Sequence, residues 1–170
     1  TDFIFSHTKS KVTDLQSQNR LINMIGHNDS LRRHLYDARR QTMLTASNDG
    51  LIKVWSLATA MLVATLRGHT KGVVDMEIAP DGSRLASCGA DGRVIVWDLD
   101  ENRIIKTIQL THKTLSAIRF VPNDASLIAV ERDGKIHPIA PTLELGPVCD
   151  ASPDEPRRRL DFCGVSSDGR

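Results

Sequence analysis

Net charge is almost absent from this chain. Its 22 Lys and Arg face 21 Asp and Glu, leaving +1 with histidine neutral, so no overall field steers it toward nucleic acid or an anionic membrane. Long apolar runs are missing as well; none approaches the roughly 18 residues of a helical membrane span. The first residues carry no basic stretch followed by a long apolar core, so no secretory signal is visible. Cysteine is sparse: Cys88, Cys149 and Cys163 form no C-x-x-C pair. That odd, scattered set suits reduced thiols of the cytosol or nucleus rather than a disulfide framework, and fillers in or near the core rather than metal ligands. The phosphate-binding G-x-x-x-x-G-K-[ST], the zinc motif H-E-x-x-H and zinc-type Cys/His spacings are also lacking. No catalytic residue, metal or cofactor is therefore expected.

What remains is ordinary for a soluble globular chain: 40% hydrophobic and 25% charged over 170 residues, enough for one domain. The informative feature is internal repetition. Residues 68–99 and 26–57 align without a gap at an offset of 42. Gly26/Gly68, His27/His69, Asp49/Asp91, Gly50/Gly92, Val54/Val96, Trp55/Trp97 and Leu57/Leu99 are identical. A fixed period of about 40–45 residues, opened by Gly-His and closed near Trp-Asp, is the mark of a repeat architecture.

In chain order, residues 1–25 continue the register backwards as the tail of a unit, with strands expected at 3–6, 10–15 and 21–25. Thr13 stands there in place of the Trp and His7 in place of the turn Asp. Residues 26–67 form a full unit. Its strands fall at 31–38, 43–47 and 51–57, and Asp49-Gly50 makes the tight turn, since Gly accepts the positive φ required. Its first turn, Arg39-Arg40, is irregular and basic. Residues 68–110 are the cleanest unit, with strands at 73–79, 85–89, 94–99 and 103–110 and turns at Pro80-Asp81-Gly82 and Asp91-Gly92. Residues 111–145 read as a worn copy with strands at 115–121 and 126–130. It keeps His112 and Asp133-Gly134 but has Ala129 and Ile139 where Ser87 and Trp97 stand. Pro138 falls inside its third strand, where the missing N–H breaks a ladder bond. A Pro- and Arg-rich linker is expected over 146–159, then the start of another unit at 160–170. The chain opens on Thr1 and stops at Arg170 inside a turn, which suggests part of a longer protein.

At these residues the chain resembles the WD-repeat family of β-propellers. The resemblance implies an all-β fold, a partial propeller of four-stranded antiparallel blades: about two intact, one degenerate and two partial. It implies that each repeat supplies the outer strand of one blade and the inner three of the next. It also implies two buried hydrogen-bonded chains, His27–Thr45–Asp49–Trp55 and His69–Ser87–Asp91–Trp97. The chemistry is consistent: the turn carboxylate can accept from imidazole, imidazole can meet the hydroxyl, and the hydroxyl can accept the indole N–H. A catalytic Ser87–His69–Asp91 triad is the competing reading. It is disfavoured because the same set recurs at the repeat period, and a triad is recognised by geometry and role rather than residue type. In the third unit His112 and Asp133 remain, but Ala129 and Ile139 break the chain.

The function implied is a non-catalytic scaffold that docks partner proteins or peptides, in the cytoplasm or nucleus. Candidate contacts are Asn48, Ala90 and Arg132, which precede the turn Asp, with Asp29 and Lys71 entering the first strand; Arg132 leads, as Arg is enriched at hot spots. The alternative for each is a solvated loop residue. The basic groups Arg32/Arg33, Arg39/Arg40 and Arg157–Arg159 could meet phosphates or an acidic peptide but read first as solvated surface, since nucleic-acid binding also wants one coherent basic face; direct nucleic-acid contact is not expected, nor is a membrane. The rest of a parent propeller is a further partner. Residues 54–79 resemble bromodomain-and-WD-repeat proteins, which implies a nuclear, chromatin-associated parent; an accessory propeller of an enzyme whose catalytic domain lies outside this window is a third possibility. With fewer blades than the 4–8 of a closed ring, the isolated piece is expected to self-associate through open strand edges.

Overall fold

The computed structural model describes residues 3–6, 11–14, 21–23, 26–122 and 125–150. Among these the only regular elements are strands. β1 (Phe3–Ser6), β2 (Lys11–Asp14) and β3 (Leu21–Asn23) form a three-stranded antiparallel sheet. Three four-stranded meanders follow. The first is β4 (Leu31–Asp37), β5 (Thr42–Ser47), β6 (Leu51–Ser56) and β7 (Leu62–Arg67). The second is β8 (Val73–Ile78), β9 (Arg84–Gly89), β10 (Arg93–Asp98) and β11 (Arg103–Gln109). The third is β12 (Leu115–Phe120), β13 (Leu127–Glu131), β14 (Lys135–Ile139) and β15 (Cys149–Asp150). In each, consecutive strands pair antiparallel.

The sequence of β6 and β10 explains their place. Ile52-Lys53-Val54-Trp55 and Val94-Ile95-Val96-Trp97 are rich in β-branched and aromatic side chains, and all eight residues are buried. A strand buried on both faces loses the alternation of a half-solvated one, so these are middle strands packed between neighbouring sheets. One core joins Leu44, Ile52 and Leu66 of the first meander to Met76, Ile95 and Trp97 of the second. The other joins Val94, Val96 and Ile108 of the second to Leu115, Ile118 and Ile139 of the third. Alternate residues of β10 therefore feed opposite cores, the period of two of a pleated strand. The strands β4, β8 and β12 neighbour one another, while β7 and β11 lie largely exposed. This is a partial β-propeller, with β4, β8 and β12 as the inner strands of successive blades.

The turn before each third strand repeats in detail. Gly50, Gly92 and Gly134 have φ of 81°, 72° and 96°, the left-handed region that favours glycine. Asp49 and Asp91 each accept the N–H two residues on, from Leu51 at 3.0 Å and Arg93 at 3.1 Å.

The third blade runs past its expected boundary. Cys149–Asp150, in the stretch read as linker, pair with Ile136 and Lys135 of β14. Pro138 lies inside β14 opposite Ile128. Its carbonyl accepts from Gly146 N–H at 2.8 Å, and N–H and C=O of one strand residue point the same way. The missing donor thus faces the outer side, where the fourth strand is only two residues long, and the β13–β14 ladder is spared. His7, the linker beyond Asp150, Arg157–Arg159, Cys163 and the expected unit at 160–170 lie outside the described residues.

Candidate protein-interaction face

Two hydrogen-bonded chains brace the turns at one end of the blades. In the first blade His27 Nδ1 lies 2.9 Å from Asp49 Oδ2, His27 Nε2 lies 2.9 Å from Thr45 Oγ1, and the Trp55 indole donates to Thr45 Oγ1 at 2.8 Å. In the second, His69 Nδ1 is 3.1 Å from Asp91, Nε2 is 2.9 Å from Ser87 Oγ, and Trp97 Nε1 donates to Ser87 Oγ at 2.9 Å. With the carboxylate accepting, Nδ1 carries a ring proton, and in that tautomer Nε2 accepts. The hydroxyl then donates to Nε2 and accepts from indole, so each chain runs in one direction, from Trp to Asp. Asp91 also takes the Thr70 N–H at 2.8 Å and the Arg93 N–H. Burial, the largest influence, pushes its carboxyl up, but the His69 ring and the two backbone donors together hold it at about 2. Asp49 is lowered by the same balance of burial against Asn28 N–H and His27. Ser87 is 0% exposed and its oxygen is occupied by indole, so no substrate reaches it. These side chains hold the turns.

The third blade has a different polar pair. Asp133 is exposed and bonded to Lys113 at 2.5 Å, and His112 is exposed. Buried there instead is His137, with Nε2 2.8 Å from Glu131 Oε1. Ala129 and Ile139 are both buried apolar residues of its core. The clue in the sequence is a Glu just past the expected second strand and a His beside Pro138 on the third, at positions where the second blade has Gly89 and Ile95.

The braced turns lie beside the starts of the inner strands. The N–H groups of Asn48, Ala90 and Arg132 donate to the carbonyls of Ser30, Gly72 and Thr114 at 3.0, 2.8 and 3.2 Å. All three candidate residues thus occupy one position repeated across the blades, each half-buried, while Asp29 and Lys71 stand exposed nearby. Each inner strand also breaks register at one place, between Leu31 and Arg33, Val73 and Asp75, Leu115 and Ala117. The bulged residues are Arg32, Val74 and Ser116. Bulges re-aim side chains, and these three line a cavity of about 300 Å³ together with Arg33, Asp75 and Arg132.

Asp75 of β8 ties the cavity wall together. Its Oδ1 is 3.1 Å from Arg33 Nε of the preceding blade, and its Oδ2 pairs with Arg119 of the following one and accepts the Ile118 N–H at 3.3 Å. Glu77 accepts the Phe120 N–H at 2.5 Å, and burial pushes its carboxyl up. Carboxylates two residues apart on β8 thereby satisfy alternate donors along the free edge of β12, the kind of edge that otherwise invites strand pairing.

At the opposite end the basic turn is split: Arg39 is exposed, as solvated surface should be, and Arg40 is not. Arg40 is 17% exposed. Its guanidinium bonds Asp37 at 2.8 Å, the Gly82 carbonyl at 2.7 Å and Asp100 at 2.5 Å, clasping the first blade to the second. Asp37 in turn accepts the Arg39 and Arg40 N–H groups, which shapes this turn without glycine.

Residues 3–56 and 60–98 match the WD40 family, the WD domain, G-beta repeat. The chain belongs to the WD-repeat family. The 60–98 match spans β7 and β8–β10, the outer strand of one WD blade and the inner three of the next. Among known WD-repeat proteins, the chain is 39% identical over 68 residues to the ribosome biogenesis protein WDR12 homolog of Chlamydomonas reinhardtii, covering 35% of this chain and 15% of that protein. It is 41% identical over 56 residues to a bromodomain and WD repeat-containing protein of Dictyostelium discoideum, covering 33% and 2%. It is 48% identical over 44 residues to Protein groucho of Drosophila melanogaster, covering 26% and 6%. The chain therefore aligns with a small part of each of these WD-repeat relatives.

Proposed function

We propose that this chain is a non-catalytic docking platform that takes partner proteins or peptides on the end of the blades bearing Asn48, Ala90 and Arg132, with Asp29 and Lys71 at the rim. The supporting observation is the cavity of about 300 Å³ at the bulged starts of three inner strands, backed by braced turns. Loops and bulges held on a rigid scaffold are where binding residues concentrate. The site of action is the cytoplasm or nucleus. A narrower reading, the propeller segment of a chromatin-associated protein, draws on the relative whose name joins a bromodomain to WD repeats.

The test is site-specific photo-crosslinking in cells, with benzoylphenylalanine at position 48 or 132 and, as control, at position 105 on β11. Cross-linked proteins are expected at 48 and 132, sharing identities absent from 105. No cross-link at 48 or 132, or the same set at all three positions, refutes the docking face.

A further inference from the structure

We propose that the bulge-lined cavity is a seat for carboxylate side chains of an acidic segment of the partner protein. This rests on the docking reading above and gives that site its chemistry.

The chain is close to neutral overall, yet the cavity is not. Arg32, Arg33, Arg119 and Arg132 line it against the single carboxylate of Asp75. Asp75 is shared between Arg33 and Arg119, and Glu77 of the same strand attracts both as well, so four guanidinium groups meet two carboxylates and the site keeps a formal positive excess. Arg33 Nε is buried and makes no hydrogen bond, although it lies 3.1 Å from Asp75 Oδ1. Guanidinium groups present fixed forks of donors that match carboxylates two bonds at a time. Two of the bulges bring these forks together: Arg32 is itself a bulged residue, Arg33 follows it, and Arg132 stands beside the Ser116 bulge with its N–H on Thr114.

The same features favour a protein segment over nucleic acid. No aromatic side chain lines the cavity for base stacking. The basic groups converge on one half-open hollow rather than forming a track along the surface, and a backbone of phosphates needs such a track.

The experiment uses the full chain and a fluorescein-labelled octapeptide of alternating Glu and Gly, with the Gln–Gly peptide as neutral control, read by fluorescence anisotropy. The Glu peptide is expected to bind, and the Gln peptide at least about tenfold more weakly. Arg32→Gln and Arg132→Gln should each weaken the Glu peptide by about tenfold, the loss of a charge-assisted bond. Arg132→Lys should recover part of that, and Arg103→Gln, on the exposed outer strand, should leave binding unchanged. Melting curves by circular dichroism show that each variant is folded, and Arg32, being exposed, gives a second test if Arg132→Gln is not. Equal binding of the two peptides, equal losses in Arg103→Gln and Arg32→Gln, or tighter binding of octauridylate than of the Glu peptide overturns the proposal. If cross-links at positions 48 and 132 persist while the Glu peptide fails to bind, the acidic chemistry falls and the docking face stands. If those cross-links are absent, both fall.

Discussion

Ser87→Ala is the sharpest test of the buried chain from Trp97 to Asp91. The substitution keeps Cβ and removes one oxygen, so the packing change is small. The chemical change is large. The indole N–H loses its acceptor at 2.9 Å and His69 Nε2 loses its donor at 2.9 Å, and Ser87 and Trp97 are 0% and 2% exposed, so water does not replace what is lost. Each buried group left unpaired costs about 1–3 kcal/mol, and with some relaxation the total is about 2–4 kcal/mol. Removing the indole donor as well, in Ser87→Ala with Trp97→Phe, should cost less than the sum of the single changes by about 1–2 kcal/mol, because one orphan disappears with its partner. The third blade displays the end point: Ala129 and Ile139 stand at the corresponding positions, both buried among apolar neighbours. The assay is urea unfolding of the four chains of this cycle, followed by circular dichroism. A Ser87→Ala cost below about 0.5 kcal/mol, against the unsatisfied-group scale, or a strictly additive cycle, refutes the reasoning.

Other outcomes follow from the same structure. Trp97→Ala should lower stability by about 3–5 kcal/mol in the same urea assay; loss of a partner with stability unchanged would contradict its burial. Asp91 has its folded pKa depressed to about 2, below the roughly 3.9 of an unfolded chain. Its contribution, about 2 kcal/mol, is fully present above about pH 4 and drains away as pH falls toward 2; melting temperatures across pH 2–6 should show this, and Asp91→Asn should flatten the curve over that window. Gly92→Ala should be far more damaging than Gly82→Ala in thermal melts. Both have positive φ, 72° and 70°, but a Cβ at Gly92 collides with the Thr111 carbonyl, whereas at Gly82 it meets only Arg39 Cδ at 3.5 Å. The 170-residue chain by itself should self-associate in light scattering, through apolar surface such as Met61 and Val63, 67% and 56% exposed; a compact, stable monomer would contradict this.

The parts legible in the sequence are those written within one repeat. His27, Thr45, Asp49 and Trp55 are brought together by two hairpins inside a single blade, and the same spacing recurs at His69, Ser87, Asp91 and Trp97. The turns were legible because only glycine sits comfortably after each turn Asp. What spans blades was not legible. Asp75 meets Arg33 and Arg119 only because inner strands lie side by side, and no spacing within a repeat announces that. Arg40 read as surface charge because its partners, Asp100 and the Gly82 carbonyl, belong to the next blade. The bulges leave no composition signal, as Arg, Val and Ser occupy them in turn. The His137–Glu131 pair occupies positions outside the repeated motif, where the second blade has Ile95 and Gly89, so the repeat does not point to it.

Arg32, Val74 and Ser116 differ in size, charge and polarity, yet the main chain around them follows one path three times over. A position that tolerates such variety is decoupled from folding, so mutation there can rewrite what the surface recognises, one blade at a time, while the scaffold is inherited intact.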